Sequence, residues 1–313
     1  MNIVFLGSSG FAVPALKALL RAKQRIACVV TQPDRKKGRG LHVEGTPVKQ
    51  AAFEAGLQIF QPQKINTPEA IEFLKKFSPD LFVVIAYGQI LEKSVLAIPK
   101  IFCINAHASV LPKYRGAAPI SWAIINGEDS TGVSIMKLDE SMDTGPVIRS
   151  KEINIKDDDT VISLEQRLSE LAAELVIDSL TLIDENRYQL IPQDESKATF
   201  APKLKKQDGL IDWKKQAIQI HNLIRGCLAW PGAFTYYNGK LIKIYKARVT
   251  RATGQQGTIK PGEVAEVSKN GILILTGKDY LCIDELQPEG KKKMSVEEFI
   301  AGHEVVAGSR LGA

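Results

Sequence analysis

Leu81-Phe82-Val83-Val84-Ile85-Ala86-Tyr87 carries no charged side chain and no alternation between apolar and polar positions. A strand with one wet face alternates, so a run of this kind predicts a strand covered on both faces, as in the parallel sheet of an α/β domain. Asn2–Gly7, Arg25–Val30 and Ile101–Asn105 read the same way. Helical spacing fills the gaps between them: Val13, Leu16, Leu19 and Leu20 within Phe11–Ala22, then 47–55 from Pro47, 67–77, and Pro119–Asn126. Val133–Asp139 and Val147–Ile155 read as a later strand pair, and Val161–Asp184 as a long amphipathic helix. Strands alternating with helices place the first half in the α/β class.

The chain has 313 residues, which favours two domains over one. Residues from Tyr188 to Gln207 lose periodicity, hold Pro192 and Pro202, and contain Lys203-Leu-Lys-Lys206, so they read as a linker. Beyond them one helix (Lys214–Gly226) precedes short apolar runs near 233–237, 240–248, 262–267, 271–275 and 280–286. Asn238-Gly239 and Asn270-Gly271 between those runs read as tight hairpin turns, and the set as a small antiparallel barrel. Residues 1–189 hold 22 basic and 22 acidic side chains, whereas 190–313 hold 19 and 13. The whole net charge of +6 therefore sits in the second part, either as a solvated basic surface or as a face for a polyanion. The longest apolar run is far short of the roughly 20 residues a membrane helix needs, so no membrane partner is expected. Met1-Asn2-Ile3-Val4-Phe5 lacks a basic leader and reads as a strand rather than a signal peptide. The four cysteines (Cys28, Cys103, Cys227, Cys282) lie apart in apolar stretches without a CxxC pair. That pattern is expected of reduced core thiols in a cytoplasmic protein with no metal.

Three segments carry chemistry. Gly7-Ser8-Ser9-Gly10 follows a strand and opens a helix, as a phosphate-binding turn does, but the full G-x-G-x-x-G spacing is missing. It is a tight strand-to-helix turn, a nucleotide site or a contact for another ligand. In Cys103–Pro119 a buried strand ends at Asn105, and Asn105, His107 and Ser109 follow at its carboxyl end, where open α/β sheets bind ligands. His107 there is either a structural residue or the partner of an amide that donates to an oxyanion. About thirty residues on, Asp143 lies before Gly145-Pro146 and is either an Asx-turn residue or a catalytic carboxylate. A carboxylate, an imidazole and a carboxamide on converging loops suit acyl transfer to an amine.

With these residues in view the chain resembles the formyltetrahydrofolate-dependent formyltransferases along essentially all its length. Asn105-x-His107, Ser109-Val110-Leu111-Pro112 and Arg115-Gly-Ala-Ala-Pro119 resemble the formyl-folate signature, and Asp143-Thr144-Gly145 its partner carboxylate. Thr31–Gly40, Gly209-Leu-Ile-Asp212-Trp213, Trp230-Pro231-Gly232 and Gln287–Met294 resemble the branch that acts on methionyl-tRNA. Ala108, Val110 and Ala229 depart from the usual pattern without removing a polar group. The resemblance implies a Rossmann-like catalytic domain over 1–189, a linker over 190–207 and an OB-like tRNA-binding domain over 208–313. It implies formyl transfer from 10-formyltetrahydrofolate to the α-amine of methionine on initiator methionyl-tRNA, by a monomer. Asn105, His107 and Asp143 would be catalytic. Ser109, Val110, Leu111 and Pro112 with Ala86, Tyr87, Gly88, Gln89, Ile90 and Leu91 would hold the folate. Arg35, Lys36, Lys37 and Arg39 on a basic loop (31–49), with Lys203, Lys205 and Lys206, would touch tRNA. A sugar-nucleotide formyltransferase or a formyl-folate hydrolase shares the signature but not the basic loop, and a non-enzymatic RNA-binding protein would not need the three site residues.

Overall fold

The computed structural model describes residues 1–37, 42–251 and 260–312. Its contacts group into two units, each built from several stretches of chain. The first comprises Met1–Pro119, Ser130–Asn154 and Glu165–Pro202, and the second Ile120–Asp129, Ile155–Leu164 and Lys203–Ala313.

In chain order the elements from the start are β1 (Asn2–Gly7), α1 (Val13–Arg21), β2 (Arg25–Val30), β3 (Arg35–Lys37) and β4 (His42–Glu44). There follow α2 (Pro47–Glu54), β5 (Ile59–Phe60), α3 (Pro68–Lys75), β6 (Leu81–Ile85), α4 (Lys93–Leu96) and β7 (Phe102–His107). Next come α5 (Pro119–Ile125), β8 (Ser130–Lys137), β9 (Val147–Asn154) and α6 (Val161–Asp184). The main sheet has the order β5-β2-β1-β6-β7-β8-β9. It is parallel as far as β7 and antiparallel at β8 and β9, the mostly parallel Rossmann-like arrangement expected. Ile3–Leu6 and Leu81–Ile85 are buried throughout, which explains why neither run alternates. From β1 the chain builds outward through β2 to β5, then returns to add β6 and β7 on the other side. The switch point therefore lies between β1 and β6, and the crevice beyond the carboxyl ends of such strands is where ligands settle.

In the first unit three details differ from the sequence expectation. β6 stops at Ile85, because Ala86 takes φ +46° and turns the chain out of the sheet. β7 runs two residues past Asn105, since antiparallel pairing with β8 (Ala106 with Ile135, His107 with Ser134) prolongs it. The 31–49 loop holds a small hairpin, β3 against β4, with Arg35 opposite Glu44.

The second unit's later elements are α7 (Ala217–Gly226), β10 (Ala233–Tyr237), β11 (Lys240–Thr250), β12 (Val264–Ser268), β13 (Gly271–Leu275), β14 (Tyr280–Pro288), β15 (Met294–Ser295) and α8 (Val296–Gly302). Their sheet is antiparallel in the order β10-β11-β14-β13-β12, with β15 on β14, and forms the smaller OB-like domain. Its core joins Trp213, Ile220 and Ile224 to Ile242, Ile244, Ile272, Ile274 and Phe299. Asn238-Gly239 makes the expected hairpin with both residues at positive φ. The second hairpin turns at Lys269-Asn270 instead, and Gly271 opens β13, where a Cβ would lie 2.3 Å from Cys282 Sγ. Helix α7 begins at Ala217 rather than Lys214, because the Gln219 side chain accepts from Gln216 N–H and caps the helix there.

Candidate active site

Residues i and i+2 of a strand point to one face, so the extension of β7 places Asn105 and His107 side by side. The His107 ring is buried, and its Nε2 lies 2.9 Å from the Tyr114 carbonyl oxygen. A carbonyl only accepts, so Nε2 carries hydrogen and a neutral imidazole keeps its lone pair on Nδ1. Nδ1 faces Asp143 Oδ2 at 3.5 Å. A proton that reaches Nδ1 therefore lies between the ring and the Asp143 carboxylate. The half-buried Asn105 carboxamide forms no hydrogen bond among the described residues and so keeps its donors for a ligand.

Asp143 follows β8 in a loop where it takes φ +56°. The turn-building role belongs to Asp139, whose carboxylate accepts from Ser141 N (3.1 Å) and Thr144 Oγ1 (2.8 Å). That releases the Asp143 carboxylate to accept from Gly116 N–H at 2.8 Å while facing the imidazole. Gly145 admits no side chain, since a Cβ would lie 1.8 Å from Lys137 O.

The loop after β7 is braced from within. Ser109 Oγ donates to Lys113 O (2.6 Å), and buried Ser134 of β8 donates to Ser109 O (2.8 Å) while accepting from Leu111 N (3.0 Å). Ser109 therefore shapes the loop, while Val110 and Pro112 are half-buried and Leu111 is buried beside it. Arg115, only 3% exposed, forms a forked pair with Glu195 (2.7 and 2.8 Å) and donates to Gln193 Oε1 from Nε and Nη2. Glu195 is held below the ordinary carboxylate range by that bond. Residues 199–201 run along the same loop: Arg115 N–H donates to Thr199 O, and Ala201 N–H to Arg115 O.

The Ala86–Leu91 segment divides by side. Tyr87 and Leu91 are buried in the core, while Ala86, Gly88 and Ile90 are exposed, with Gly88 at φ +90°. Gln89 spends its amide on Ile65 N and Gln63 O. The first turn is also internally tied, because Ser8 Oγ donates to Tyr87 O and accepts from Gln32 N–H. All of these segments lie at the carboxyl ends of β1, β6 and β7.

Of the basic loop, exposed Arg35 reaches Gln32 Oε1 at 3.2 Å, and Lys49 pairs with Asp34. Lys36 and Lys37 belong to β3, and Arg39 lies outside the described residues. Lys203, Lys205 and Lys206 are exposed around buried Leu204, with no ion pair among the described residues. The four cysteines are buried and unpaired, and burial pushes the Cys28 and Cys227 thiols up to about 12, so they are poor nucleophiles. Among the described residues no helix is long and apolar enough to cross a membrane.

The chain belongs to the formyl transferase family of enzymes. The family's formyl transferase model matches residues 1–180, and the model of its C-terminal domain matches 203–304. Over its whole length the chain is similar to methionyl-tRNA formyltransferases. It is 44% identical to that of Geobacter sulfurreducens over 312 residues, covering 100% of this chain and 97% of the relative. It is 44% identical to that of Acetivibrio thermocellus, covering 100% of both. Among solved structures, an N-formyltransferase from Helicobacter canadensis in complex with folinic acid and dTDP-3-aminofucose shares the fold at TM-score 0.66 and 21% identity, over 90% of this chain and 98% of that one. HypX from Aquifex aeolicus in complex with tetrahydrofolic acid does so at TM-score 0.66 and 17% identity, over 99% of this chain and 50% of that one.

Proposed function

We propose that this protein transfers the formyl group of 10-formyltetrahydrofolate to the α-amine of methionine on initiator methionyl-tRNA. The observation that carries the chemistry is Asn105 and His107 on one face at the carboxyl end of β7, with Asp143 against the His107 ring. The full-length likeness to methionyl-tRNA formyltransferases supports the acceptor.

In this reading the amine attacks the formyl carbon and the carbonyl electrons move to oxygen. The Asn105 amide stabilises that oxyanion, with the His107 imidazole beside it. The proton leaving the amine passes to His107 directly or through water, and the Asp143 carboxylate balances the imidazolium that forms. Collapse of the adduct breaks the bond to N10, which takes a proton, and releases tetrahydrofolate. The exposed backbone at Ala86, Gly88 and Ile90, together with Val110 and Pro112, is suited to hold the folate, while Ser109, Tyr87, Gln89 and Leu91 fix that surface from behind. The acceptor end of the tRNA would be held by Arg35, Lys36, Lys37 and Arg39, and its backbone by Lys203, Lys205, Lys206 and the basic OB-like domain. The division into catalytic (1–189), linking (190–207) and tRNA-binding (208–313) parts, action as a monomer and a cytoplasmic setting belong to the same reading.

The test is labelled formyl transfer from 10-formyltetrahydrofolate, with methionyl-tRNA, free methionine, an amino-sugar nucleotide and water as competing acceptors. Label on methionyl-tRNA alone is expected. Label on the sugar, or release as formate, would assign the chain to another branch of the family.

A further inference from the structure

Residues 190–202 are tied into the first unit at both ends. Ile191 exchanges two hydrogen bonds with Val147, and Thr199 and Ala201 bond along Arg115. Between these ties Gln193 Nε2 donates to two carbonyls at once, Asp143 O at 2.8 Å and Gly145 O at 2.7 Å. The amide cannot be turned over, because its oxygen accepts from the Arg115 guanidinium at 3.1 and 2.8 Å. A guanidinium only donates and carbonyls only accept, so the partners on both sides dictate one orientation. Arg115 is in turn held by Glu195.

Asp143 needs such a clamp. It sits at φ +56°, a conformation that costs a non-glycine residue free energy unless its surroundings enforce it. A shift of the turn would carry its carboxylate away from both Gly116 N–H and His107 Nδ1. We propose that Gln193 is a positioning residue that holds the Asp143–Gly145 turn so that the Asp143 carboxylate stays on the His107 imidazole. The inference deepens the reading of Asp143 as the partner of His107 and rests on it. Asp143 is the charged group that faces the imidazole, and Glu195, Asp143 and Asp139 act on the Arg115 guanidinium beside the same turn.

Gln193→Glu keeps the side chain's size and its bond to Arg115 but replaces the donor with a carboxylate facing two carbonyls. Gln193→Ala removes the side chain. Because misplacement of a catalytic group by about 1 Å costs up to about 100-fold, both variants should lose about 10- to 100-fold in kcat. The KM for 10-formyltetrahydrofolate should stay within about twofold of wild type, since no part of the clamp belongs to the folate surface. In an Asp143→Asn background Gln193→Ala should cost nothing further, because two residues acting through one group are not additive. A second readout needs no turnover: the Gly116 amide hydrogen, bonded to Asp143 Oδ2, should exchange about tenfold faster in the variants while amides of β1 keep their protection. Unchanged Gly116 exchange in a folded variant, or an additive loss in the Asp143→Asn background, would overturn the proposal. If wild type transferred no formyl group, the functional reading would fall while the exchange experiment still decided whether Gln193 holds Asp143.

Discussion

At the residue scale the site is decided by which groups lack a hydrogen to give. Tyr114 O accepts from His107 Nε2, so that carbonyl sets the tautomer and Asp143 faces the other ring nitrogen. Nitrogen NMR of the neutral His107 ring should therefore show hydrogen on Nε2, and hydrogen on Nδ1 would reverse these assignments. Asp143→Asn retains an oxygen for Gly116 N–H but removes the negative charge, so the rate should fall and the pH–rate profile flatten. A profile of unchanged height and shape would leave Asp143 a turn residue only. Asn105→Asp exchanges an oxyanion donor for a repelling charge and should lower kcat by about 10²–10³. Activity within threefold of wild type would take Asn105 out of the mechanism. Asn105 and His107 stand out in the sequence as polar side chains at the end of an otherwise apolar strand, and Asp143 as a carboxylate before Gly145-Pro146. The sequence does not reveal Ser134, Tyr114 or Gln193. Gln193 works on carbonyls 48 and 50 residues away, and Tyr114 acts through its backbone, which leaves no side-chain signature.

At the scale of elements, strand runs were easier to read than their ends. The interior of β6 is fixed by apolar side chains buried on both faces, which the sequence spells out. Its exit at Ala86, the two extra residues of β7 and the late start of α7 depend on backbone pairing and capping that only the assembled sheet supplies. Helix α7 also carries a titration that no pattern discloses. His221 is held below the ordinary histidine range, first by burial and then by repulsion from Arg225. A histidine of this kind is neutral in the folded protein, whereas the unfolded chain takes up a proton near pH 6.5. Stability is therefore full above about pH 6.5 and declines as pH falls toward the lower folded value, since protons then favour the unfolded state. The melting temperature of wild type should fall more than that of His221→Gln between pH 7.5 and 5.5. Parallel curves for the two proteins would show that His221 titrates alike in both states.

At the scale of the whole molecule, the net charge is concentrated in the later stretch of the sequence. Both halves have well-packed cores, but the surplus of 19 basic over 13 acidic side chains lies in residues 190–313, and the first 189 balance at 22 each. The stretch that reads as a loose linker is only partly loose in character: residues 191–201 bond along the active-site loops, and the exposed lysines begin directly after them. Lys203, Lys205 and Lys206 make no ion pair among the described residues, so neutralising them removes no intramolecular partner. If they lie along the tRNA backbone, each phosphate contact releases counterions and contributes roughly −0.7 to −0.9 to the slope of log affinity against log salt. The triple Lys203→Gln, Lys205→Gln, Lys206→Gln variant should therefore bind tRNA more weakly at low salt and show a slope shallower by about 2 to 3. Its advantage over wild type should not appear at any salt, because the two lines converge only where ions have stripped these contacts from both. Folate affinity and melting temperature should hold, as exposed substitutions of this kind change stability by less than about 0.5 kcal/mol. Formyl transfer to methionyl-tRNA should lose in KM for the tRNA while kcat is kept, since the lysines touch no reacting atom. An unchanged slope in the triple variant would remove these lysines from the tRNA path and leave the basic surplus to other residues of 190–313.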